Sequence, residues 1–192
     1  MKHLSIQSPL LSINLETWLL HGAEIKESER RIKQMEGVFE DNESYQLLPQ
    51  ETLVYNVQAH LPSKEGTPGG LYFGTTKIQP GKVGNEYFMT KGHFHANIDR
   101  AEYYWGVQGQ GMLILMDINQ NTWAEKMFPG SLHYIGGYIA HRVANTGNTP
   151  LIFGASWPSD AGHNYEAIEK QGFSARLVEI DGEPCLTSPS MK

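Results

Sequence analysis

Ligand-type side chains are concentrated in one stretch of the sequence, KGHFHANIDRAEYYWGVQGQG, at positions 91–111. In an extended strand, side chains two positions apart point to the same face, so His93 and His95 should face one cavity together. Residues 96–100 predict a turn, after which a returning strand would place Glu102 opposite the two histidines. Two imidazoles and a carboxylate in this arrangement are typical metal ligands.

The fourth ligand must come from another part of the chain, and His141 in the string GGYIAHRVANTG is the best candidate. Three imidazoles and one carboxylate suit Fe(II), Mn(II), Ni(II) or Zn(II), and ligand types alone do not choose among these ions. Tyr104 shares a strand face with Glu102, which would place a phenol in the same cavity. A single HxH pair is weak support for a metal site, whereas its combination with Glu102 and His141 favours one.

Short β-type runs separated by turn residues fill most of the chain after residue 52, and they must position these side chains. Glycine and proline interrupt the runs at Pro80-Gly81, at Gly109 and Gly111, and at Pro129-Gly130. Many short strands at close intervals are typical of a sandwich or a barrel. The predicted strands are 53–59, 71–78, 87–95, 102–107, 112–116, 132–135 and 151–156.

Two short helices and a final hairpin are predicted outside these strands. The segment 24–39 carries apolar residues at helical spacing and reaches a stop at Gly37. A second helix is predicted over 165–171, with Asn164 as its N-cap. The hairpin is predicted to turn at residues 181–182, an Asp-Gly pair.

Composition and charge bound the function classes that this chain can serve. Its 192 residues, 40% hydrophobic and 19% charged, are enough for one well-buried core and are typical of a single globular domain. The formal net charge of −6, with scattered basic residues, excludes the basic patch that nucleic-acid binding requires. Cys185 is the only cysteine, which excludes an internal disulfide and favours a reducing compartment. No apolar run approaches about 18 residues, so we expect a cytoplasmic protein without a membrane span.

Two segments resemble the two motifs of the cupin family, small antiparallel β-barrels that bind a metal through two His and a Glu of the first motif and one His of the second. The first motif matches over 93–109 and the second over 130–145. Six residues separate His95 from Glu102, where general cupins have fewer. The longer spacing directs the comparison to a particular cupin subgroup.

That subgroup is the cupin-type phosphoglucose isomerases. The strings PGKVGNEYFMTKGHFHANIDRAEYY, YIAHRVANTGNTPLIF and WPSDAGHNYEAIEKQGF resemble this family, and the resemblance covers roughly residues 31–173. It implies metal-dependent interconversion of glucose 6-phosphate and fructose 6-phosphate, a step of glycolysis and gluconeogenesis. It also implies one divalent metal per subunit, Fe2+ first and Mn2+, Ni2+ or Zn2+ as alternatives. The implied metal ligands are His93, His95, Glu102 and His141.

The resemblance further implies which residues contact the substrate. Trp157 stands where the family has a tyrosine, which removes a hydroxyl donor. Thr90 and Gly92 are out of phase with the two histidines, so either Gly92 marks a bulge or main-chain groups beyond the strand end bind the phosphate. Lys91 and Arg142 are expected to be solvated surface charges. The implied phosphate or substrate contacts are Tyr55, Thr76, Thr90, Gly92, Tyr104, Trp157, His163 and Tyr165, and the implied catalytic residues are Glu102, His141 and Tyr138.

Isomerisation moves hydrogen between C1 and C2 of the open-chain sugar, which requires a base and a stabiliser for the developing oxyanion. We expect Glu102 to shuttle the proton through a cis-enediol while the metal polarises both oxygens. The alternative is a metal-assisted hydride shift, with Glu102 as a ligand or as a proton shuttle between the oxygens. Other functions for such a site are an iron-dependent dioxygenase, a non-enzymatic sugar-binding cupin and a mannose 6-phosphate isomerase.

The expected architecture is all-β, a cupin small β-barrel or jelly-roll sandwich with short N-terminal and C-terminal helices. We expect a single domain over 1–192, with an N-terminal extension that holds a short helix at 1–50. The barrel would occupy about 52–158, and a C-terminal helix and hairpin 160–192. The extension is long for a small cupin, and we expect it to cover an exposed sheet edge of the partner in a homodimer.

Overall fold

The computed structural model describes residues 5–189 and is built mainly from antiparallel strands. Two short α-helices are present in this part of the chain, α1 (Asn42–Leu47) and α2 (Tyr165–Gln171), together with a 3-10 turn at Ile32–Gln34. The strands are β1 (Leu11–Ile13), β2 (Leu20–Gly22), β3 (Ile25–Arg31), β4 (Leu53–His60), β5 (Leu71–Ile78), β6 (Lys82–Val83), β7 (Glu86–Tyr87), β8 (Glu102–Gln108), β9 (Gly111–Asp117), β10 (Thr122–Met127), β11 (Leu132–Ile135), β12 (Ile139–Asn145), β13 (Leu151–Pro158), β14 (Arg176–Ile180) and β15 (Glu183–Thr187).

A six-stranded sheet in the order β11-β8-β13-β5-β4-β3 forms the larger layer. The remaining strands form a three-stranded sheet, β10-β9-β12, a four-stranded sheet, β15-β14-β7-β6, and the separate hairpin β1-β2. The middle strand β9 is buried on both faces, since Leu113, Ile114, Leu115 and Met116 are each 2% exposed or less. The expected all-β cupin sandwich with short helices is confirmed.

Segment 88–95 crosses between the layers beside β12 without forming the long regular strand predicted over 87–95. It pairs with β12 only through two isolated bridges, Met89 with Ala144 and His93 with His141. Between them the backbone at Gly92 is left-handed, with φ 81°. A left-handed residue interrupts the pleat, so side chains before and after Gly92 do not follow one alternation.

The helix predicted over 24–39 is wrong. This segment instead forms β3, which pairs antiparallel with β4, followed by the 3-10 turn. Pairing with an available sheet edge here outweighs the helix propensity of a charged run. The short N-terminal helix is α1, where the Asp41 side chain accepts a hydrogen bond from the backbone N–H of Ser44.

The C-terminal elements follow the prediction closely. Helix α2 has the predicted bounds, and its N-cap Asn164 accepts a hydrogen bond from the backbone N–H of Ala167. Strands β14 and β15 form the hairpin around residues 181–182. The division of the chain into extension, barrel and C-terminal part stays a prediction. Within residues 5–189, no helix is long and apolar enough to cross a membrane.

Candidate active site

Four side chains converge at one end of a cavity between the sheets. His141 lies on β12, and its backbone exchanges two hydrogen bonds with that of His93, at 3.0 and 3.2 Å. Glu102 begins β8, the strand that follows the turn after His95. One ligand atom from each of these four residues lies within 4.8 Å of the others. The four residues predicted as metal ligands therefore form a single group.

Backbone acceptors orient two of the imidazoles. The Nδ1 atom of His95 lies 2.9 Å from the carbonyl oxygen of Arg100, and Nδ1 of His141 lies 3.3 Å from that of Ile139. When Nδ1 donates to a carbonyl, Nε2 carries the free lone pair that a metal requires. Both Nε2 atoms indeed face the Glu102 carboxylate.

The donor atoms fit a divalent cation better than they fit one another. Oε1 of Glu102 lies 2.6 Å from Nε2 of His141 and 3.3 Å from Nε2 of His95. Nevertheless, the buried Oε1 of Glu102 and Nε2 of His141 lack a hydrogen-bond partner of acceptable geometry. A buried polar atom without a partner is costly, and a metal bound to both atoms would remove that cost.

Protonation states in the group also suit a metal. Burial alone would raise the pKa of Glu102, but the neighbouring His141 and His95 outweigh it and hold that pKa well below the usual range. Burial, with a further contribution from His141, places the pKa of His93 well below its ordinary value. Glu102 is therefore ionised and His93 neutral at physiological pH, which are the forms that bind a metal.

The cavity has a volume of about 730 Å³, which is within the range that accommodates a small ligand. Three metal-ligand candidates, His93, Glu102 and His141, line one part of it. The rest includes all eight residues assigned to substrate contacts. These are Tyr55, Thr76, Thr90, Gly92, Tyr104, Trp157, His163 and Tyr165.

Four adjacent strands of the six-stranded sheet supply half of these eight residues. Tyr104 is on β8, Trp157 on β13, Thr76 on β5 and Tyr55 on β4. Burial, and next the proximity of Tyr165, raises the pKa of Tyr55 to about 12, so its hydroxyl keeps its proton. Aromatic and hydroxyl side chains thus cover one wall of the cavity.

The opposite wall comes from segment 88–95 and the approach to α2. Thr90 and Gly92 both line the cavity with His93, although they are out of phase with it in a regular strand. The left-handed backbone at Gly92 accounts for this. The His163 ring stacks on Tyr165, with an interplanar angle of 8° and centroids 5.6 Å apart.

Comparison with known proteins agrees with this arrangement. A sequence profile of the glucose-6-phosphate isomerase family matches residues 29–188. Among curated relatives, glucose-6-phosphate isomerase of Thermococcus kodakarensis is 46% identical over 90% of both chains. The enzyme of Pyrococcus furiosus is 42% identical, again over 90% of both chains. The chain belongs to the glucose-6-phosphate isomerase family.

A more distant relative extends this glucose-6-phosphate isomerase family beyond the archaeal sequences. A putative glucose-6-phosphate isomerase 2 of Rhizobium meliloti is 33% identical over 80% of this chain and 77% of its own length.

One residue expected to be catalytic lies apart from the group. Tyr138, in the turn between β11 and β12, is 49% exposed and is not among the residues that line the cavity. Its catalytic role stays a prediction.

Arg30 is a residue of the active-site cavity that the sequence of this glucose-6-phosphate isomerase family member did not indicate. Arg30 lies on β3 directly opposite Tyr55 of β4 and lines the cavity. The incorrect helix over 24–39 concealed this placement. A strand interpretation of the same segment would have put Arg30 beside the cavity wall.

The expectation that Arg142 is a solvated surface charge is wrong. It is 3% exposed and lies on β12, immediately after His141. Because side chains alternate along a strand, Arg142 points to the face opposite that of the metal group. The signal was available in the string IAHRVAN, whose apolar residues on both phases indicate a strand buried on both faces.

Proposed function

We propose that this chain is a metal-dependent aldose-ketose isomerase that interconverts D-glucose 6-phosphate and D-fructose 6-phosphate. The observation that carries the proposal is the buried group of three histidines and one glutamate at one end of a cavity whose other walls carry hydroxyl and imidazole groups. Family membership supports the substrate. We infer a place in glycolysis and gluconeogenesis, in the cytoplasm.

Glu102 is the proposed catalytic base. Its carboxylate is ionised in the folded protein and 5% exposed, so it can accept a proton without competition from bulk water. A divalent metal bound by the three histidines would supply Lewis-acid polarisation of the C1 and C2 oxygens. Tyr104, whose pKa burial and then Glu102 raise well above 10, would stay protonated and donate a hydrogen bond in the cavity.

Phosphate binding would position the reacting carbons. Thr76, Thr90 and His163 offer hydrogen-bond donors, and Arg30 adds a positive charge at the cavity wall. Binding energy from this group, which does not react, can hold C1 and C2 against the base. Hydrogen-bond donors and a single arginine would thus bind the anionic substrate, although the chain carries a net negative charge.

Two routes for the hydrogen remain open. In the first route, Glu102 carries the hydrogen as a proton between C1 and C2. In the second route, the hydrogen moves directly between the two carbons as hydride, and Glu102 only moves a proton between the oxygens or binds the metal. Turnover in heavy water distinguishes them, because a proton on Glu102 exchanges with solvent. Complete retention of the substrate hydrogen would count against the proton route that we favour.

The experiment that tests the function is turnover of fructose 6-phosphate after chelation and after addition of Fe2+, Mn2+, Ni2+ or Zn2+. We propose Fe2+ as the native ion, and expect at least one ion to restore activity to the wild type but not to His141→Ala. His133→Ala is the matched control, because His133 is also buried but binds Glu125 and Ser131 away from the group. An enzyme active without metal, or inactive with every ion, would contradict the proposal.

We also propose a homodimer. Strand β11 ends the six-stranded sheet; on it Leu132 and Tyr134 are 68% and 60% exposed, and Tyr103 on the neighbouring β8 is 48% exposed. An apolar face at an open sheet edge favours a second copy as its cover. Light scattering should give twice the chain mass of 21.5 kDa, and Leu132→Asp should shift it towards the monomer. A monomeric wild type would refute this part.

A further inference from the structure

A second cavity, of about 470 Å³, lies on the other side of the segment that bounds the active-site cavity. Lys91, Gly92 and Tyr165 line both cavities, so the two share a thin wall. A Cβ placed on Gly92 would lie 2.8 Å from the Phe173 ring and 3.0 Å from Cβ of Arg142, which shows how closely this wall is packed. No residue of the proposed metal group lines the second cavity.

Basic side chains outnumber acidic ones in the lining by four to two. Lys33, Lys91, Arg142 and Arg176 contribute positive charge. Two carboxylates, Glu36 and Glu169, also line the cavity, but both are exposed. Within residues 5–189, neither carboxylate forms an ion pair with these basic residues.

Arg142 is the unusual member of this lining. Its guanidinium lies 4.3 Å from the ring centroid of Phe173, and the residue is 3% exposed. Nε and Nη2 are buried and have no hydrogen-bond partner. Buried guanidinium donors are normally satisfied, because an unpaired donor loses its hydrogen bonds to water and gains none in the protein.

The neighbouring charges do not neutralise Arg142. Nη1 of Arg176 binds the carbonyl oxygen of Val38 at 2.6 Å and Oε1 of Glu86 at 3.2 Å, and its buried Nε is also without a partner. Glu86 uses its other oxygen to accept the backbone N–H of Glu40. Arg176 pairs with the Glu86 carboxylate, while Arg142 forms no ion pair within residues 5–189. The two guanidiniums therefore keep a net positive charge largely out of water, an arrangement that a bound anion would stabilise.

We propose that this second cavity binds a phosphate-type oxyanion, either inorganic phosphate or a small phosphomonoester. A guanidinium presents several donors in a fixed fork that matches the oxygens of such an anion. The volume accommodates a phosphoryl group with a small carbon skeleton. The proposal does not rest on the isomerase reaction, since it uses no residue of the metal group.

Equilibrium dialysis of the full chain with labelled inorganic phosphate tests the proposal. Because the active-site cavity also binds phosphate in our view, the measured quantity is the difference in bound phosphate between wild type and Arg142→Met. We expect the Arg142-dependent site to be weakened about tenfold or more in the variant, so that it binds less phosphate per chain at concentrations that just saturate the wild type. Equal binding by the two proteins would overturn the site. Competition by glycerol 3-phosphate for the Arg142-dependent site would identify a phosphomonoester pocket, and its absence a site for free phosphate.

A second variant guards against misfolding of Arg142→Met, which circular dichroism would reveal. Lys33 is exposed at the cavity and pairs with Glu51, so Lys33→Glu can reverse a charge without disturbing the core. It should weaken the same phosphate site about threefold or more, whereas Lys170→Glu should not, because Lys170 is also exposed and ion-paired with a glutamate but lies on α2 outside the lining. Equal effects of these two reversals would also count against the site.

Discussion

The two ends of the active-site cavity are assembled in different ways. The metal group draws three of its four members from positions 93–102, and His95, Glu102 and His141 are 5% exposed or less. The substrate end draws its side chains from positions 55 to 165, on four strands and the approach to α2, and His163 and Tyr165 are exposed. The proposed chemistry thus depends mainly on one short buried segment, while the proposed binding end is spread over the fold and opens to solvent. Substitutions should therefore affect kcat at one end and KM at the other.

The largest expected effect is at the metal end. Glu102→Gln removes the charge and the base but keeps the size, so we expect kcat to fall by roughly 10²–10⁴-fold with little change in KM. Steady-state kinetics together with the metal content of the purified variant would separate a lost base from a lost ion. Glu125→Gln is the control, because Glu125 pairs with His133 outside the cavity. Retained turnover would show that Glu102 is not the base.

At the substrate end, Thr76→Val removes one hydroxyl without a change of shape. Loss of a hydrogen bond to a charged phosphate should raise KM for fructose 6-phosphate about tenfold and change kcat less. The matched control is Thr75→Val, since the neighbouring Thr75 is also buried on β5 but does not line the cavity. If kcat fell more than KM rose, the division between the two ends would be wrong.

A smaller effect is expected from α2, the helix that supports the substrate end. Asn164→Ala removes the N-cap of this helix and should lower the free energy of unfolding by about 1 kcal/mol. Since α2 carries Tyr165, KM should also rise modestly. Asp41→Ala, the equivalent change at α1, should lower the melting temperature and leave KM unchanged. A KM effect from both caps would point to general loosening.

The smallest effect is a dependence on pH. Although His163 as a residue is exposed, its imidazole packs against His93 and Tyr165, and this partial burial lowers its pKa below the ordinary value of 6.5 and outweighs the opposing influence of Glu102. The folded state therefore favours the neutral imidazole. The contribution of His163 to the free energy of unfolding is complete above pH 6.5, its pKa in the unfolded chain. It is lost as the pH falls below that value, because the unfolded chain takes up the proton more readily. The melting temperature of the chelated protein should fall less between pH 7 and pH 5 for His163→Gln than for the wild type. An equal fall in both proteins would contradict this.

Local patterns were sufficient to predict that His93, His95 and Glu102 lie together, because the turn over 96–100 brings strand β8 back beside the two histidines. The bounds of α2 were equally predictable, since Asn164 and Gly172 mark both ends. The sequence did not reveal that 24–39 would pair with β4, because an available sheet edge is a property of the whole fold. Arg30 was missed for that reason, whereas the burial of Arg142 was indicated by the apolar residues on both phases of the string IAHRVAN.

Strand β12 carries His141 towards one cavity and Arg142 towards the other. A slip of β12 by one residue against β9 would reverse every side chain on it. The guanidinium would then lie among the proposed metal ligands, and the imidazole against Phe173. The correct register of β12 therefore forms both sites, and the slipped register forms neither. The fraction of refolding chains that binds metal would thus report the fraction in which β12 has the correct register.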